Sequence, residues 1–461
     1  MTWKISVPKD SATSCGNRVT VLSAPPNEIG ISAITLKRGF ELAQQAAFLW
    51  IARRFVARSS TVTFDALATL DARVSSIVSA LSKRPGLAER FLADEPPSFT
   101  SGHAFVTAAV ALRTGSFDVF DALVARLADQ DELLSPLASA LAWLEYEEVH
   151  SWVKHLLASP APTTVRLGLM AAVAHRVHPG PALERALAAE DPRLRGSALE
   201  AVGRLGAKES AVQLRPALED EDAVCRFWAA WSVVRFGDGA GIPVLGRFAV
   251  DNGVLAKPAC DLALRALEPD RAVRTHARLA SLTSDPRLGV IAAGIIGDPA
   301  LADWLLAQME SPPLARLAGA AFCLMTGRDL RRDDLDADYP PDAPAAEEAM
   351  AGLPDGDEVQ AQLAPYTNDD LLADESDDAL AWPDLVKLGR WWNSNRNAFA
   401  PGTRYLSGLP IRQVEMFHVW RTGNQQQRAA AALELALLDP QKPAMDVTAP
   451  AHRQTAPRSS L

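Results

Sequence analysis

Glycines recur at intervals of about thirty residues through the middle of this chain: Gly206, Gly237, Gly297 and Gly327, with Leu267 keeping the count where one is missing. Each interval carries one pattern. In the interval that opens at Asp191-Pro192, aspartate stands as a helix cap and proline in the first turn, where its missing N–H removes no bond. Leu194, Ala198, Leu199, Val202 and Leu205 follow at helical spacing, and Gly206 supplies the left-handed residue that ends a helix. Val212, Leu214 and Leu218 form a second, shorter stripe. One hairpin cannot bury both stripes, so neighbours must stack, and the pattern predicts an all-α solenoid of helical hairpins.

The grammar extends to Pro162–Gly180 with Pro181–Ala189, Ala223–Gly253, Asp285–Met309 and Pro312–Gly327; His103–Gly115 and Leu133–Leu144 keep the interval more loosely. Between residues 100 and 330 this gives about eight units. A basic residue follows most helix openings, at Arg166, Arg195, Arg226, Lys257 and Arg316, while Gly289 breaks the series. These marks resemble the short HEAT-type repeats of phycobilin-lyase-like and armadillo-like proteins. Ala46 to Trp50, Cys225 to Trp231, Trp391-Trp392 with Asn395, and Arg404 to Gly408 give the whole chain a likeness to a proteobacterial HEAT-repeat family often encoded near type VI secretion genes. That resemblance implies a protein partner drawn from such a system, an effector or spike component, and implies no catalytic residue.

At 461 residues the chain exceeds what one compact core holds, a limit that a solenoid avoids by growing in one dimension. No apolar run reaches the roughly 18 residues of a membrane helix, and the first ten residues lack the apolar centre of a secretory signal, so a cytoplasmic location and no membrane contact are expected. Cys15, Cys225, Cys260 and Cys323 show no paired spacing and read as small buried hydrophobes.

The flanks divide as follows: a poorly ordered lead-in at 1–38, a helical N-terminal cap at 39–99, the repeats at 100–330, an acidic linker or arm at 331–380, an aromatic helical C-terminal cap at 381–440 and a disordered tail at 441–461. In the N-terminal cap, Phe64, Leu67, Leu70, Val74, Ile77 and Leu81 make one stripe. The acidic stretch holds sixteen Asp or Glu against two Arg, in a chain whose net charge is -10. It is either a solvated linker or an arm that lies against a basic surface.

Such a surface has a candidate. Arg215, Arg247, Arg278 and Gln308 fall one period apart on the second helices, which are expected to line the solenoid's groove, and arginine suits bidentate contacts with an acidic partner. Ordinary solvated helix positions would give the same spacing. Trp391, Trp392 and Asn395 either anchor a peptide or cap the last repeat.

Catalytic, cofactor and metal signatures are not found. There is no Gly-x-Ser-x-Gly elbow, Gly237 to Gly241 joins two helices rather than following a strand, and His175, His178 and Glu184 lack a second ligand cluster. The net charge of -10 weighs against nucleic acid as the partner. The expected function is therefore a non-catalytic protein-binding scaffold, adaptor or effector-associated chaperone; the alternatives are a HEAT-fold enzyme such as a lyase acting on a small molecule, or an immunity protein.

Overall fold

A computed structural model describes residues 33–84, 86–93, 100–127, 133–251, 253–282, 286–337 and 377–454. Among these the chain is helical almost throughout. Three helices lead in: α1 (Ala33–Val56), α2 (Phe64–Ser82) and α3 (Leu87–Ala93). The first of them begins inside the stretch read as a poorly ordered lead-in; residues 1–32 lie outside the described residues.

Hairpins then succeed one another as α4 (Ser101–Thr114) with α5 (Phe117–Arg126), α6 (Leu134–Trp143) with α7 (Tyr146–Ala158), α8 (Pro162–His175) with α9 (Pro181–Leu187), and α10 (Pro192–Leu205) with two short 3-10 turns, Lys208–Gln213 and Pro216–Glu219. Next come α11 (Ala223–Arg235) with α12 (Ile242–Val250), α13 (Ala256–Arg265) with α14 (Pro269–Leu282), α15 (Pro286–Ile296) with α16 (Ala302–Gln308), and the unpaired α17 (Pro312–Thr326). First helices pack on first helices in sequence order, which makes the all-α solenoid.

The local chemistry follows the sequence. Asp191 accepts from the backbone N–H groups of Arg193 and Leu194 at 2.8 and 3.2 Å, and Gly206 ends α10 at φ 71°. Leu194, Ala198, Leu199, Val202 and Leu205 are all buried, each large side chain contributing about 1.5–3 kcal/mol. The basic residues near the helix starts brace neighbouring repeats: Arg195 forks onto Asp220 at 2.7 and 2.9 Å, and Arg226 donates to the Asp220 and Glu221 carbonyls at 2.6 and 2.8 Å.

The C-terminal module turns back over the array. It contains α18 (Leu385–Asn395), a two-stranded hairpin of β1 (Tyr405–Leu406) and β2 (Leu409–Pro410), α19 (Gln413–Thr422) and α20 (Gln425–Leu438). At one end Tyr405 N–H donates to the Gly297 carbonyl at 2.8 Å and Ser407 N–H to that of Leu324 at 2.7 Å. At the other, Gln425 N–H donates to the Val62 carbonyl between α1 and α2 at 2.9 Å. The module therefore bridges the last repeats and the N-terminal helices.

Residues 441–454 correct the expectation of a disordered tail. They form a strap across the ends of the first helices, with Val447, Ala449, Ala451 and Gln454 buried. Arg453 donates to the Ala142 and Ala174 carbonyls at 2.8 and 2.6 Å, closing the ends of α6 and α8, and Ala444 N–H donates to the Arg204 carbonyl on α10 at 2.7 Å. Arg235 grips the strap at the Pro440 and Lys442 carbonyls. Arg53 and Asp71, each 3% exposed, pair at 2.6 Å; Arg53 also holds the Thr448 and Ala449 carbonyls at 2.7 Å, and Asp71 accepts Ala451 N–H at 2.7 Å.

Replacing Arg53 by Ala leaves the buried Asp71 carboxylate with the Ala451 N–H alone and no countercharge, the Thr448 carbonyl without this donor, and the Ala449 carbonyl with only the Gln454 amide. Urea denaturation is expected to show a loss on the order of 3–5 kcal/mol, with faster amide exchange at Ala449 and Ala451. A loss under about 1 kcal/mol, the range of an exposed pair, would mean the clamp does not hold the strap.

Two glycines offer a second test. Both Gly237 and Gly297 have positive φ, but a Cβ on Gly237 meets open space while one on Gly297 collides with the Tyr405 carbonyl oxygen. Gly237→Ala is expected to cost about 1 kcal/mol for the backbone alone, and Gly297→Ala clearly more, in the same denaturation assay.

Candidate ligand chamber

Strap and solenoid border a half-open chamber of about 1010 Å³. One wall is built by α1, α6, α8, α10 and α11, through Trp50, Ser139, Ala142, Met170, Arg204, Trp228 and Trp231; the other by α20 and the strap, through Ala432, Ala436, Asp446 and His452. First helices, not second helices, thus face this space, and Arg215, Arg247, Arg278 and Gln308 do not line it.

Each polar wall residue has a structural origin. Arg204 lies in the last turn of α10, where a cation complements the helix dipole, and pairs one turn back with Glu200 at 2.6 Å. Its guanidinium carbon stands 5.4 Å from the ring centroids of both Trp228 and Trp231, which α11 presents at i and i+3. Arg176 ends α8 in the left-handed region at φ 55°, a conformation usually left to glycine. Burial lowers its pKa, and Asp446 on the strap partly opposes this.

The histidines near the chamber are held neutral. Burial pushes His175 down to about 4 and the charge of Arg453 adds to this, outweighing the 3.0 Å bond to the Leu141 carbonyl. Burial likewise lowers His452, whose imidazole stands 3.5 Å from Glu145. No group of three or more His, Cys, Asp or Glu suited to a metal occurs among the described residues. Cys225, Cys260 and Cys323 are free thiols, each pushed up to about 12 with burial as the main cause, and so unreactive at neutral pH.

The other candidates are dispersed. Arg215 sits at the start of a 3-10 turn rather than on a helix and pairs with Asp238 at 2.6 Å; Arg247 and Arg278 are exposed on α12 and α14, and Gln308 is half-buried at the end of α16. Trp392 is only 3% exposed: it packs against Phe322 and Phe399 and donates to Asp303 at 2.9 Å, so it belongs to the core and offers no exposed anchor. Trp391 is half-buried beside Phe322, and the Asn395 side chain donates to the Trp391 carbonyl at 2.8 Å. Most of the acidic stretch lies outside the described residues; at its end, Asp377 takes Arg287 at 2.5 and 3.0 Å. Sequence reasoning missed Arg176, Arg204 and Asp446, although the Cys225–Trp231 segment pointed at the wall that holds two of the tryptophans.

Residues 180–282, from α9 to α14, match the family of HEAT repeats, modules that commonly serve as protein-interaction scaffolds. No curated protein matches the chain. No helix among the described residues is long and apolar enough to cross a membrane.

The neutral imidazole sets a pH dependence. An unfolded chain protonates His175 near its ordinary value of 6.5 while the folded chain resists to about 4, so the unfolded state binds more protons in between and stability falls as pH drops through that window. Thermal melts from pH 6.5 to 4 should show this decline, and His175→Gln should flatten part of it. An unchanged slope would show that burial of this imidazole does not contribute.

Proposed function

Starting from a solenoid of HEAT repeats, we propose that this protein is a non-catalytic scaffold, an adaptor or effector-associated chaperone, that holds a protein partner on its second-helix side. One observation carries the reading. The first-helix side is covered by the chain's own C-terminal module, while the opposite side exposes apolar and cationic groups together: Val212 at 77%, Val254 at 64% and Val250 at 50% exposure, alongside Arg215, Arg247 and Arg278. Apolar contacts edged by arginine are typical of protein interfaces.

The resemblance to families encoded near type VI secretion genes makes an effector or spike component the partner we favour, and an acidic surface on it would complement the arginines. Against an enzyme stands the engagement of the acid and base groups nearest the chamber: Asp261 is tied to Arg265 at 2.7 Å, Glu200 to Arg204, and His175 to a carbonyl. The pair His452–Glu145 is the feature that an enzymatic reading would start from.

An affinity pull-down from native cytosol, followed by co-elution of the purified partner, tests the proposal. A stoichiometric partner whose affinity falls at least about tenfold in an Arg247→Glu, Arg278→Glu double variant is expected, the loss of roughly one charge-assisted contact per site. Undiminished affinity and salt dependence would remove the strip from the interface. Turnover of a co-purifying small molecule, abolished by His452→Ala, would replace the scaffold by an enzyme.

A further inference from the structure

The covered side of the solenoid has chemistry of its own, separate from any protein bound outside. Six arginines line the chamber against four carboxylates, Glu145, Glu200, Asp261 and Asp446, in a chain whose net charge is -10. The local sign is therefore opposite to that of the whole molecule.

Two of those arginines stand out by what they lack. Arg53 is neutralised by Asp71, and Arg453 spends its terminal nitrogens on the Ala142 and Ala174 carbonyls. Among the described residues, the guanidinium of Arg176 makes no hydrogen bond, and Arg204 uses only Nε, leaving both terminal nitrogens open. The side chain of Arg204 is 37% exposed, toward the chamber it lines. Asp446 lines the same space; its Oδ1 accepts from the backbone N–H and hydroxyl of Thr448 at 2.8 and 2.6 Å, and its charge favours the protonated form of both arginines from a distance, but it forms no ion pair with either.

The two positions belong to consecutive first helices: Arg176 is the cap residue of α8, and Arg204 lies in the last turn of α10. They approach the chamber from adjacent repeats. Beside Arg204, Trp228 is half-buried and Trp231 is 6% exposed, so the indole of Trp228 retains a surface on which a flat ring can lie. A guanidinium held over two indoles is oriented before any ligand arrives, which reduces the entropy that ligand binding must overcome.

The geometry points to the chamber as a binding site for a small organic anion, a carboxylate or phosphate carried on a planar ring, with Arg176 and Arg204 receiving the oxyanion and Trp228 the ring. A volume of about 1010 Å³ suits a ligand of that size and excludes a folded domain. Arginine rather than lysine at both positions fits planar, bidentate recognition of either oxyanion. Glu200 limits the affinity, because it occupies one edge of the Arg204 fork and places a negative charge beside the ligand.

Titration calorimetry and tryptophan fluorescence on the full chain test this, with AMP as the phosphate probe, indole-3-acetate as the carboxylate probe, and adenosine and inorganic phosphate as controls for each half. Saturable binding of AMP, indole-3-acetate or both is expected, with each control at least about tenfold weaker than the probe that binds; which of the two binds identifies the oxyanion. Arg204→Gln and Arg176→Gln should each weaken binding at least about tenfold, the loss of a charge-assisted contact, while Arg271→Gln, exposed on α14 and outside the chamber, leaves it unchanged. Glu200→Gln should tighten binding several-fold, a gain that a damaged fold cannot produce. No saturation by either probe at millimolar concentration, or binding indifferent to both arginine substitutions, overturns the assignment.

Discussion

Every first helix of a stacked-hairpin array ends with carbonyls that have no partner inside the helix, and in this protein those ends line up along one side where the chain's own C-terminal module meets them. Arg453 satisfies α6 and α8, Ala444 N–H serves α10, Arg404 reaches the Arg265 and Ile296 carbonyls at the ends of α13 and α15, and the Ser407 and Gly408 N–H groups serve α17. This single set of contacts fixes the strap, ties the last repeats to the first helices and creates the chamber. A buried network joins it, in which Glu434 of α20 accepts from both Arg265 and Arg404.

The same contacts explain why the thirty-residue beat is kept by glycine at some positions and not at others. Gly206, Gly297 and Gly327 need a left-handed backbone and also lie against the backbone of Gln441, Tyr405 and Ser407, so a side chain there fails twice. Gly237 meets only the first requirement. Arg176 occupies the left-handed position at the end of α8 in place of a glycine, and its side chain then lines the chamber. Where Leu267 keeps the count the helix ends through Ala266 at φ -79°, without a left-handed turn, and no glycine is required.

The repeat architecture was legible because helix caps and apolar spacing are local. Asp191, Pro192 and Gly206 announce an element within a few residues of where it begins and ends. The strap left no such trace: its stability comes from hydrogen bonds to residues hundreds of positions away, and contacts made through backbone groups impose no periodic pattern on the sequence. Pro216 did carry a readable signal, since a proline inside a second stripe removes a helical donor, and two 3-10 turns replace the expected helix. Adjacent tryptophans are harder. On a helix Trp391 and Trp392 point about 100° apart, so one can enter the core while the other stays at its edge, and composition does not say which. The arginine series was readable as spacing, but which helix layer faces inward depends on where the C-terminal module packs.

That packing also accounts for a cationic chamber in an acidic protein. A buried guanidinium must recover its lost hydration, and a carboxylate partner would do so while cancelling its charge. Arg453 instead uses carbonyls at helix ends, which carry the negative pole of the helix dipole but no formal charge, and Arg404 adds two such carbonyls to its pair with Glu434. Arg235, with its pKa pushed down to about 10 mainly by burial, does the same with strap carbonyls and stays protonated at neutral pH. Dipoles thus stabilise positive charge in the interior without neutralising it. The many carboxylates of the sequence are spent elsewhere, as helix caps, as braces between repeats and in the stretch after α17. A chain with an excess of acid can therefore line this chamber with more arginine than carboxylate.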